Sequence, residues 1–336
     1  MPEPGIAGKR LRHGNAQRCR CVCGSMTRAI VPEQTEALAR LSRTLVSCGY
    51  SFVTPTPATH ARVNARPDSQ WARTLRDVFG WSRPFRHGIV PEPILLAMRE
   101  ASVIVPQLDG WRSLVRLSSL DGLAYLHSAY PTEAADAVFF GPDTYRYARA
   151  LEDVLVCPVR RAVDIGCGAG PGAISIARRH RSAVVYGVDI NDAALAMTQA
   201  NAAVAGVSIE TVNSDLLTGL DGQFDLIVAN PPYLIDRSER AYRHGGGPLG
   251  AGLSLKILDV AITRLAPGGT LLLYTGAAIT NGEDPLRIEA EARLAGLGLT
   301  WSYRELDPDV FGEELEGGAY VGSDRIAAVT LTVRKQ

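Results

Sequence analysis

The sequence has no apolar run of the roughly 18–20 residues that a helix needs to cross a bilayer. It also has no net charge, since 35 basic side chains are balanced by 35 acidic ones. The first absence excludes a membrane-spanning helix. The second removes the overall positive charge typical of tight duplex binding, although a local basic patch remains compatible with it. The 336 residues, 46% of them hydrophobic, suffice for one large domain and a smaller one.

The cysteines do not form a metal-binding pattern. Zinc sites favour cysteine pairs separated by two residues together with a second cluster of ligands, and neither is present. The six cysteines are Cys19, Cys21, Cys23, Cys48, Cys157 and Cys167. We therefore expect no metal site, and the scattered cysteines favour a reducing, cytoplasmic setting.

Residues 1–30 are expected to form a flexible basic leader. The first 25 residues are rich in arginine, but they lack the apolar middle segment of a secretory signal. Met26 offers an alternative translation start, and regular hydrophobic patterns begin only at Pro32. The folded part of the chain is therefore predicted to begin at about this point.

Residues 31–135 are predicted to form a smaller helical, winged-helix-like domain for substrate docking. Leucines at helical spacing follow Pro32, and further helices are expected over residues 71–78 and 91–100. Alternating apolar and polar residues then flank Asp121-Gly122, which is the strongest short signal for a β-hairpin. Winged modules often bind nucleic acid, but this region is not notably basic, so docking or scaffolding is favoured.

Residues 136–336 alternate between strand and helix patterns, which predicts an α/β domain with a parallel, Rossmann-like sheet of seven strands. The expected strands are 162–165, 183–188, 208–212, 224–229, 270–274, 300–305 and 325–333. Helices are expected at 172–179, 192–204 and 253–265. One more helix begins at Pro285 behind the capping residue Asp284 and ends before Gly296.

A glycine-rich turn joins the first of these strands to the following helix. Gly166, Gly168 and Gly170, with Cys167 among them, let the backbone approach a ligand, and the helix N-terminus offers N–H groups. Gly168, Gly170 and Ala173 also fit the dinucleotide pattern G-x-G-x-x-A, so a nicotinamide cofactor remains an alternative. A tight turn without a ligand is the other alternative.

Carboxylates at three successive strands narrow the choice of ligand. Asp164 lies before the glycine turn, where it would repel a pyrophosphate but suit a cationic amino group. Asp189, followed by Ile190, is placed to accept both ribose hydroxyls, and Asp215 to accept from an adenine amine while Leu216 packs on the ring. Each aspartate alone is more often a turn or cap residue. Together they predict a site for S-adenosylmethionine, a nucleoside with a positive end.

Over about residues 138–333 the sequence resembles class I S-adenosylmethionine-dependent methyltransferases of the Asn-Pro-Pro-Tyr branch. The stretches "VDIGCGAGPGAISIA", "YGVDINDAALAMTQANAAVAGV" and "NSDLLTGLDGQFDLIVANPPYL" carry the match. This branch includes protein-glutamine N5-methyltransferases of peptide-chain release factors, and adenine-N6 and guanine-N2 methyltransferases of nucleic acids. The middle stretch is especially similar to the release-factor enzymes. The motifs are specific for the family but not for the substrate.

Three segments depart from the release-factor pattern. Release-factor enzymes typically carry an Arg-Pro-Glu-Thr-Glu-like segment, whereas "FFGPDTYRYA" retains only Pro142, Asp143 and Thr144. The N-terminal region is predicted to end in a hairpin instead of forming a helical bundle. "HGGGPLGAGLSL" replaces the usual segment after the motif. These departures count against the release factor itself as the substrate.

The motif itself predicts how a planar NH₂ group is held for methylation. Such a nitrogen is a poor nucleophile because its lone pair is delocalised. If the Asn230 side-chain oxygen and the Pro231 carbonyl accept its two N–H bonds, the lone pair is directed at the methyl donor. Pro231 and Pro232 make the turn rigid, and Tyr233 offers a flat surface for a planar amide or base.

These residues predict an N-methyltransferase that uses S-adenosylmethionine, and a protein glutamine amide is the favoured acceptor. Methylation of a nucleic-acid base or of a small metabolite is the alternative. An NAD(P) oxidoreductase is a remote one, because it gives no role to residues 230–233. The expected partner is a release-factor-like protein or a nucleic acid, with no membrane involved and the oligomeric state open.

Overall fold

The computed structural model describes Met1 and residues 32–336. Apart from Met1, the leader expected over residues 1–30, with Cys19, Cys21 and Cys23, lies outside the described residues. Within the described part, no helix combines the length and apolar character needed to cross a membrane.

The N-terminal region consists of four helices followed by two hairpins. They are α1 Pro32–Ser47, α2 Pro57–Asn64, α3 Leu75–Phe79, α4 Glu92–Glu100, β1 Ile104–Gln107, β2 Gly110–Ser113, β3 Val115–Leu120 and β4 Leu123–Ser128. The helix expected over residues 71–78 begins only at Leu75, because Thr74 and Asp77 form a capping box there. The hairpin expected at Asp121-Gly122 joins β3 to β4, and both residues have positive φ. The β1–β2 hairpin was not expected from the sequence.

The rest of the chain forms the α/β domain. Its elements are α5 Pro142–Leu151, β5 Arg161–Ile165, α6 Pro171–Arg179, β6 Val184–Asp189, α7 Asp192–Ala205, β7 Glu210–Asn213, β8 Phe224–Ala229, α8 Gly252–Arg264, β9 Leu265–Ile279, α9 Pro285–Leu294, β10 Thr300–Asp307 and β11 Arg325–Arg334. All seven expected strands are present, and Asp284 caps α9 as predicted. The main difference is β9, which is longer than expected and pairs with β11 over ten residues.

The seven strands form one sheet in the order β10-β11-β9-β8-β5-β6-β7. Strands β5 to β9 are parallel where they pair, whereas β11 runs antiparallel to both β9 and β10. The chain moves outward from β5 in one direction through β6 and β7, and in the other through β8 and β9. Ligands of open α/β sheets bind at the carboxyl ends of strands where the order reverses. The site is therefore expected above β5 and β8.

Both faces of the sheet are buried. On β5, Ala162 packs in a cluster with residues of α5 and α6, whereas its neighbour Val163 packs in a cluster with residues of α8 and α9. A third cluster joins the N-terminal region to the sheet domain, because Leu41 of α1 and Met197 of α7 belong to it. The N-terminal region thus packs directly on α7. The domain boundary at residues 135 and 136 stays a prediction of the sequence.

Candidate active site

A cleft opens at the carboxyl ends of β5, β6 and β8, where the strand order reverses. It brings together all of the predicted site residues except Gly170. Those that line the cleft are Asp164, Gly166, Cys167, Gly168, Asp189, Ile190, Asp215, Leu216, Asn230, Pro231, Pro232 and Tyr233. Gly170 has φ of 85° and forms the N-cap of α6. Its part in ligand binding stays a prediction.

The glycine turn is held by hydrogen bonds that the sequence did not reveal. The Gly166 and Cys167 amides donate to the Val188 carbonyl at 2.8 and 3.0 Å. The Gly168 amide donates to an Asp189 carboxylate oxygen at 3.0 Å. Among the described residues, the Ala169 amide has no such partner, and Ala169 lines the cleft. The loop therefore presents fewer free N–H groups than expected from the glycine pattern.

Asp164 is a buried carboxyl at the end of β5. It accepts hydrogen bonds from the Tyr147 hydroxyl at 3.0 Å and from the Ala173 amide of α6 at 2.9 Å. Burial raises the pKa of Asp164 to about 7, against the lowering effect of these two donors. A Cβ on Gly172 would collide with both Tyr147 and Asp164. Gly172 and Tyr147 are thus site residues that the sequence analysis missed.

Asp189 ends β6 and holds two neighbouring loops. One carboxylate oxygen accepts from Gly168 N, and the other accepts from the Asn191 amide at 2.9 Å. Burial raises the pKa of Asp189, and these backbone donors oppose the rise. Asp215 is exposed, and Leu216 follows it with φ of 53°. The expected carboxylates therefore lie along one edge of the sheet.

Asn230 and Pro231 leave β8 with two hydrogen-bond acceptors available. Among the residues that the structure describes, neither the Asn230 side-chain amide nor the Pro231 carbonyl has a hydrogen-bond partner. Asn230 is partly exposed and lines the cleft, whereas Pro231 is buried. The Asn230 side-chain oxygen and the Pro231 carbonyl can therefore accept hydrogen bonds from a ligand in the cleft.

Tyr233 is 6% exposed and anchors the turn. Its ring packs on Gly276 of β9, where a Cβ would collide with it. The ring also makes an edge contact with Phe311, with centroids 5.9 Å apart. These contacts hold the turn against β9. The stacking surface expected of Tyr233 stays a prediction.

A buried network fixes the Tyr233 hydroxyl. Asp143, in the first turn of α5, accepts from Tyr233 and Tyr274, each at 2.8 Å, and from Arg146 at 3.3 Å. Arg146 also donates to Asp307 at 2.7 Å. Burial raises the pKa of Asp143, and its three donors oppose the rise. From the sequence, Asp143 was only an acid retained from a family segment. In the structure it connects that segment to the turn.

The sequence analysis did not predict two further features of the cleft, which are a pair of stacked aromatic rings and the packing of the glycine-rich run. The rings of Phe139 and Tyr242 line it and stack with centroids 6.0 Å apart and an interplanar angle of 10°. The glycine-rich run after the turn packs behind it, because Gly245 N donates to Leu234 O at 2.8 Å. A Cβ on Gly250 would collide with the Tyr233 carbonyl. The described part of the chain contains no group of three or more histidine, cysteine or acidic residues placed to hold a metal ion.

Comparison with known proteins identifies residues 148–280 as a match to the family described as "Methyltransferase small domain". A release factor glutamine methyltransferase of Deinococcus radiodurans is 29% identical over 299 residues, which cover 83% of this chain and 94% of that protein. A release factor glutamine methyltransferase of Koribacter versatilis is 31% identical over 154 residues, 42% of this chain and 55% of that protein.

A ribosomal protein uL3 glutamine methyltransferase of Xanthomonas campestris is 38% identical over 130 residues, 35% of this chain and 42% of that protein. The chain thus spans about half the length of the Koribacter and Xanthomonas relatives. Among solved structures, the 16S rRNA N2 G1207 methyltransferase of T. thermophilus, in complex with AdoMet and guanosine, is similar with a TM-score of 0.43 and 18% identity. That likeness covers 76% of this chain and 64% of the other.

The glycine turn, the reversal of strand order at β5 and the Asn-Pro-Pro-Tyr turn agree with this family match and with the relatives. The family match and these relatives together support a class I S-adenosylmethionine-dependent methyltransferase of the Asn-Pro-Pro-Tyr branch.

Proposed function

We propose that this enzyme transfers a methyl group from S-adenosylmethionine to the amide nitrogen of a protein glutamine. The observation that carries the proposal is the Asn-Pro-Pro-Tyr turn. It lies in the same cleft as the glycine turn, and two of its acceptors have no hydrogen-bond partner in the described part of the chain. The relatives named as glutamine methyltransferases support an amide as the acceptor. The cytoplasmic setting expected from the scattered cysteines of the sequence is part of the same proposal.

The residues of the cleft fit S-adenosylmethionine. A buried carboxyl suits the cofactor's amino group when no cation of the protein pairs with it, and Asp164 has no cationic partner among the described residues. Asp189 would accept from the ribose hydroxyls. Ile190 and Leu216, which line the same cleft as Asp215, would pack on the adenine. When bound, S-adenosylmethionine would supply an electrophilic methyl group, with S-adenosylhomocysteine as the leaving group and the displaced amide proton passing to water.

The protein's part in the reaction is orientation. The Asn230 oxygen and the Pro231 carbonyl accept the two N–H bonds of the glutamine amide, which turns its lone pair toward the methyl group. The two prolines and the anchored Tyr233 fix the backbone of the turn before the substrate binds, so little backbone reorganisation is needed as charge develops on the nitrogen. Tyr233, anchored by Asp143 and Gly276, keeps the turn in place.

Labelling with tritiated-methyl S-adenosylmethionine tests the acceptor. The purified enzyme is incubated with extract from a strain that lacks its gene, and parallel samples are digested with protease or nuclease. We expect label that only protease releases, and an N5-methylglutamine in the modified peptide. Asn230→Ala enzyme in the same extract is the matched control. Label released only by nuclease would show that the acceptor is a nucleic-acid base, and label in the small-molecule fraction would show that it is a metabolite. Either result would contradict a protein substrate.

The affinity for S-adenosylmethionine should rise with pH through about 7. The pKa of Asp164 is raised to about 7, so the carboxyl is protonated below this pH and offers no charge to a cationic amino group. Above it, the carboxylate pairs with the cation, and binding releases protons when measured near pH 7. Calorimetric titration on both sides of pH 7 measures this. Asp164→Asn should remove most of the pH dependence; an unchanged profile in that variant would exclude Asp164 as its source.

A further inference from the structure

Asn201 is a buried residue of α7 to which the proposed mechanism gives no role. Its side chain is 1% exposed. The side-chain oxygen accepts from the Leu126 amide of β4 at 2.8 Å, and the side-chain nitrogen donates to the Leu126 carbonyl at 3.0 Å. The same nitrogen donates to the Ala169 carbonyl at 2.9 Å. One amide therefore bonds the N-terminal hairpin and the glycine turn at once.

On the hairpin side, Asn201 takes the place of a neighbouring strand. β4 pairs with β3 on one edge, and its other edge would leave the Leu126 N–H and C=O unpaired in a buried environment. The Asn201 carboxamide turns its oxygen and one of its two N–H groups to Leu126, as a peptide unit of a strand would, so it satisfies both groups. An unpaired buried group would be costly. Asn201 thereby fixes the height and register of β4 on α7.

On the cofactor side, Asn201 acts together with Thr198, which lies three residues earlier on the same face of α7. The Thr198 hydroxyl donates to the Gly168 carbonyl at 3.0 Å, and Asn201 binds the next carbonyl, that of Ala169. Because the peptide bond is planar and trans, a Gly168 carbonyl held toward α7 turns the Ala169 N–H away from it. This is the N–H that has no partner in the described part of the chain.

We propose that Asn201 is a positioning residue that couples the conformation of the glycine turn to the position of the N-terminal hairpin β3–β4. The glycine turn keeps its ligand-binding conformation only while the Asn201 side chain is hydrogen-bonded to both Leu126 of β4 and Ala169. The inference rests on the proposed function for its consequence, which is cofactor affinity. The physical link itself is independent of the substrate and can be measured without cofactor.

The test uses Asn201→Asp, which has nearly the same shape, keeps an acceptor and removes both donors. Its carboxylate would face the Leu126 and Ala169 carbonyls. Thr198→Val is the matched control, because it removes only a bond to the glycine turn. Hydrogen exchange of the cofactor-free proteins is followed in peptides covering residues 123–128 and 166–172. We expect Asn201→Asp to lose protection in both, and Thr198→Val only in the second.

The consequence for the cofactor is measured by S-adenosylmethionine titration of the same proteins. We expect the Kd of Asn201→Asp to rise about ten-fold, with the KM for S-adenosylmethionine raised more than kcat is lowered. Asn201→Ala, which adds no charge, gives the same test if Asn201→Asp does not fold. Loss of protection in only one segment, or failure of both variants to fold, would overturn the inference. Wild-type protein that binds no cofactor would instead refute the proposed function, and the exchange result would still decide the role of Asn201.

Discussion

Asn230→Ala should abolish methyl transfer while leaving the affinity for S-adenosylmethionine within a few-fold of wild type. The substitution removes one of the two acceptors of the Asn-Pro-Pro-Tyr turn but does not alter Asp164, Asp189 or the glycine turn. Loss of a preorganised hydrogen-bonding group that acts on developing charge lowers kcat by about a hundred-fold or more. Single-turnover transfer of labelled methyl groups measures the rate, and calorimetry measures the Kd of the cofactor.

The control for this substitution is Asn213→Ala, at the end of β7. Asn213 is an exposed asparagine that bonds the side chain of Asp192 at 2.7 Å, and its loss should leave turnover nearly unchanged. Normal turnover by Asn230→Ala would refute the mechanism in which Asn230 and Pro231 orient the substrate amide. A large loss of cofactor affinity in that variant would instead assign Asn230 to the cofactor site.

Asp189→Ala should have the opposite effect and weaken S-adenosylmethionine binding first. Asp189 is the expected partner of the ribose, and it also accepts from the Gly168 and Asn191 amides. Hydrogen bonds to a charged group are each worth about 1.5–3 kcal/mol, which corresponds to roughly ten-fold or more in Kd. Turnover at saturating cofactor should fall much less, because the acceptors at Asn230 and Pro231 remain.

Asp192→Ala is the matched control for Asp189→Ala, because Asp192 lies three residues further on and is exposed at the start of α7. Its substitution should leave the Kd unchanged. Binding and kinetics of the two variants are compared at one pH above 7, where Asp164 is charged. An Asp189→Ala enzyme with wild-type affinity would show that the ribose is held elsewhere.

The elements of the sheet domain and the β3–β4 hairpin of the N-terminal region were largely predictable because their signals are local. Strand runs, the cap at Asp284 and the turn at Asp121-Gly122 are set by residues close in sequence. The missed β1–β2 hairpin has Leu108-Asp109 at its tip, with positive φ at Leu108, a residue that rarely signals such a turn. Turn propensities of single residues predict common turns such as Asp121-Gly122. They do not predict an uncommon turn such as Leu108-Asp109, which depends on tertiary packing.

The motifs of the site could be predicted from the sequence for the same reason, but the residues that hold these motifs in place could not. The Asn-Pro-Pro-Tyr turn is four consecutive residues, whereas its anchor Asp143 lies 90 residues before Tyr233 and 131 before Tyr274. A carboxylate with buried tyrosine partners has no sequence signature, because the partners come from different elements. The same applies to Asn201, which is 75 residues from Leu126.

The α/β class, the glycine turn, the carboxylates at the strand ends and the Asn-Pro-Pro-Tyr turn follow from the amino-acid sequence alone, since each depends on neighbouring residues. The donors that bond to Asp164 and Asp189, and the contacts that anchor Tyr233, became visible only in the folded protein. The same holds for Asn201, through which α7 joins the N-terminal hairpin to the glycine turn. These contacts depend on burial and on strands brought together from distant parts of the chain, and no local pattern encodes them.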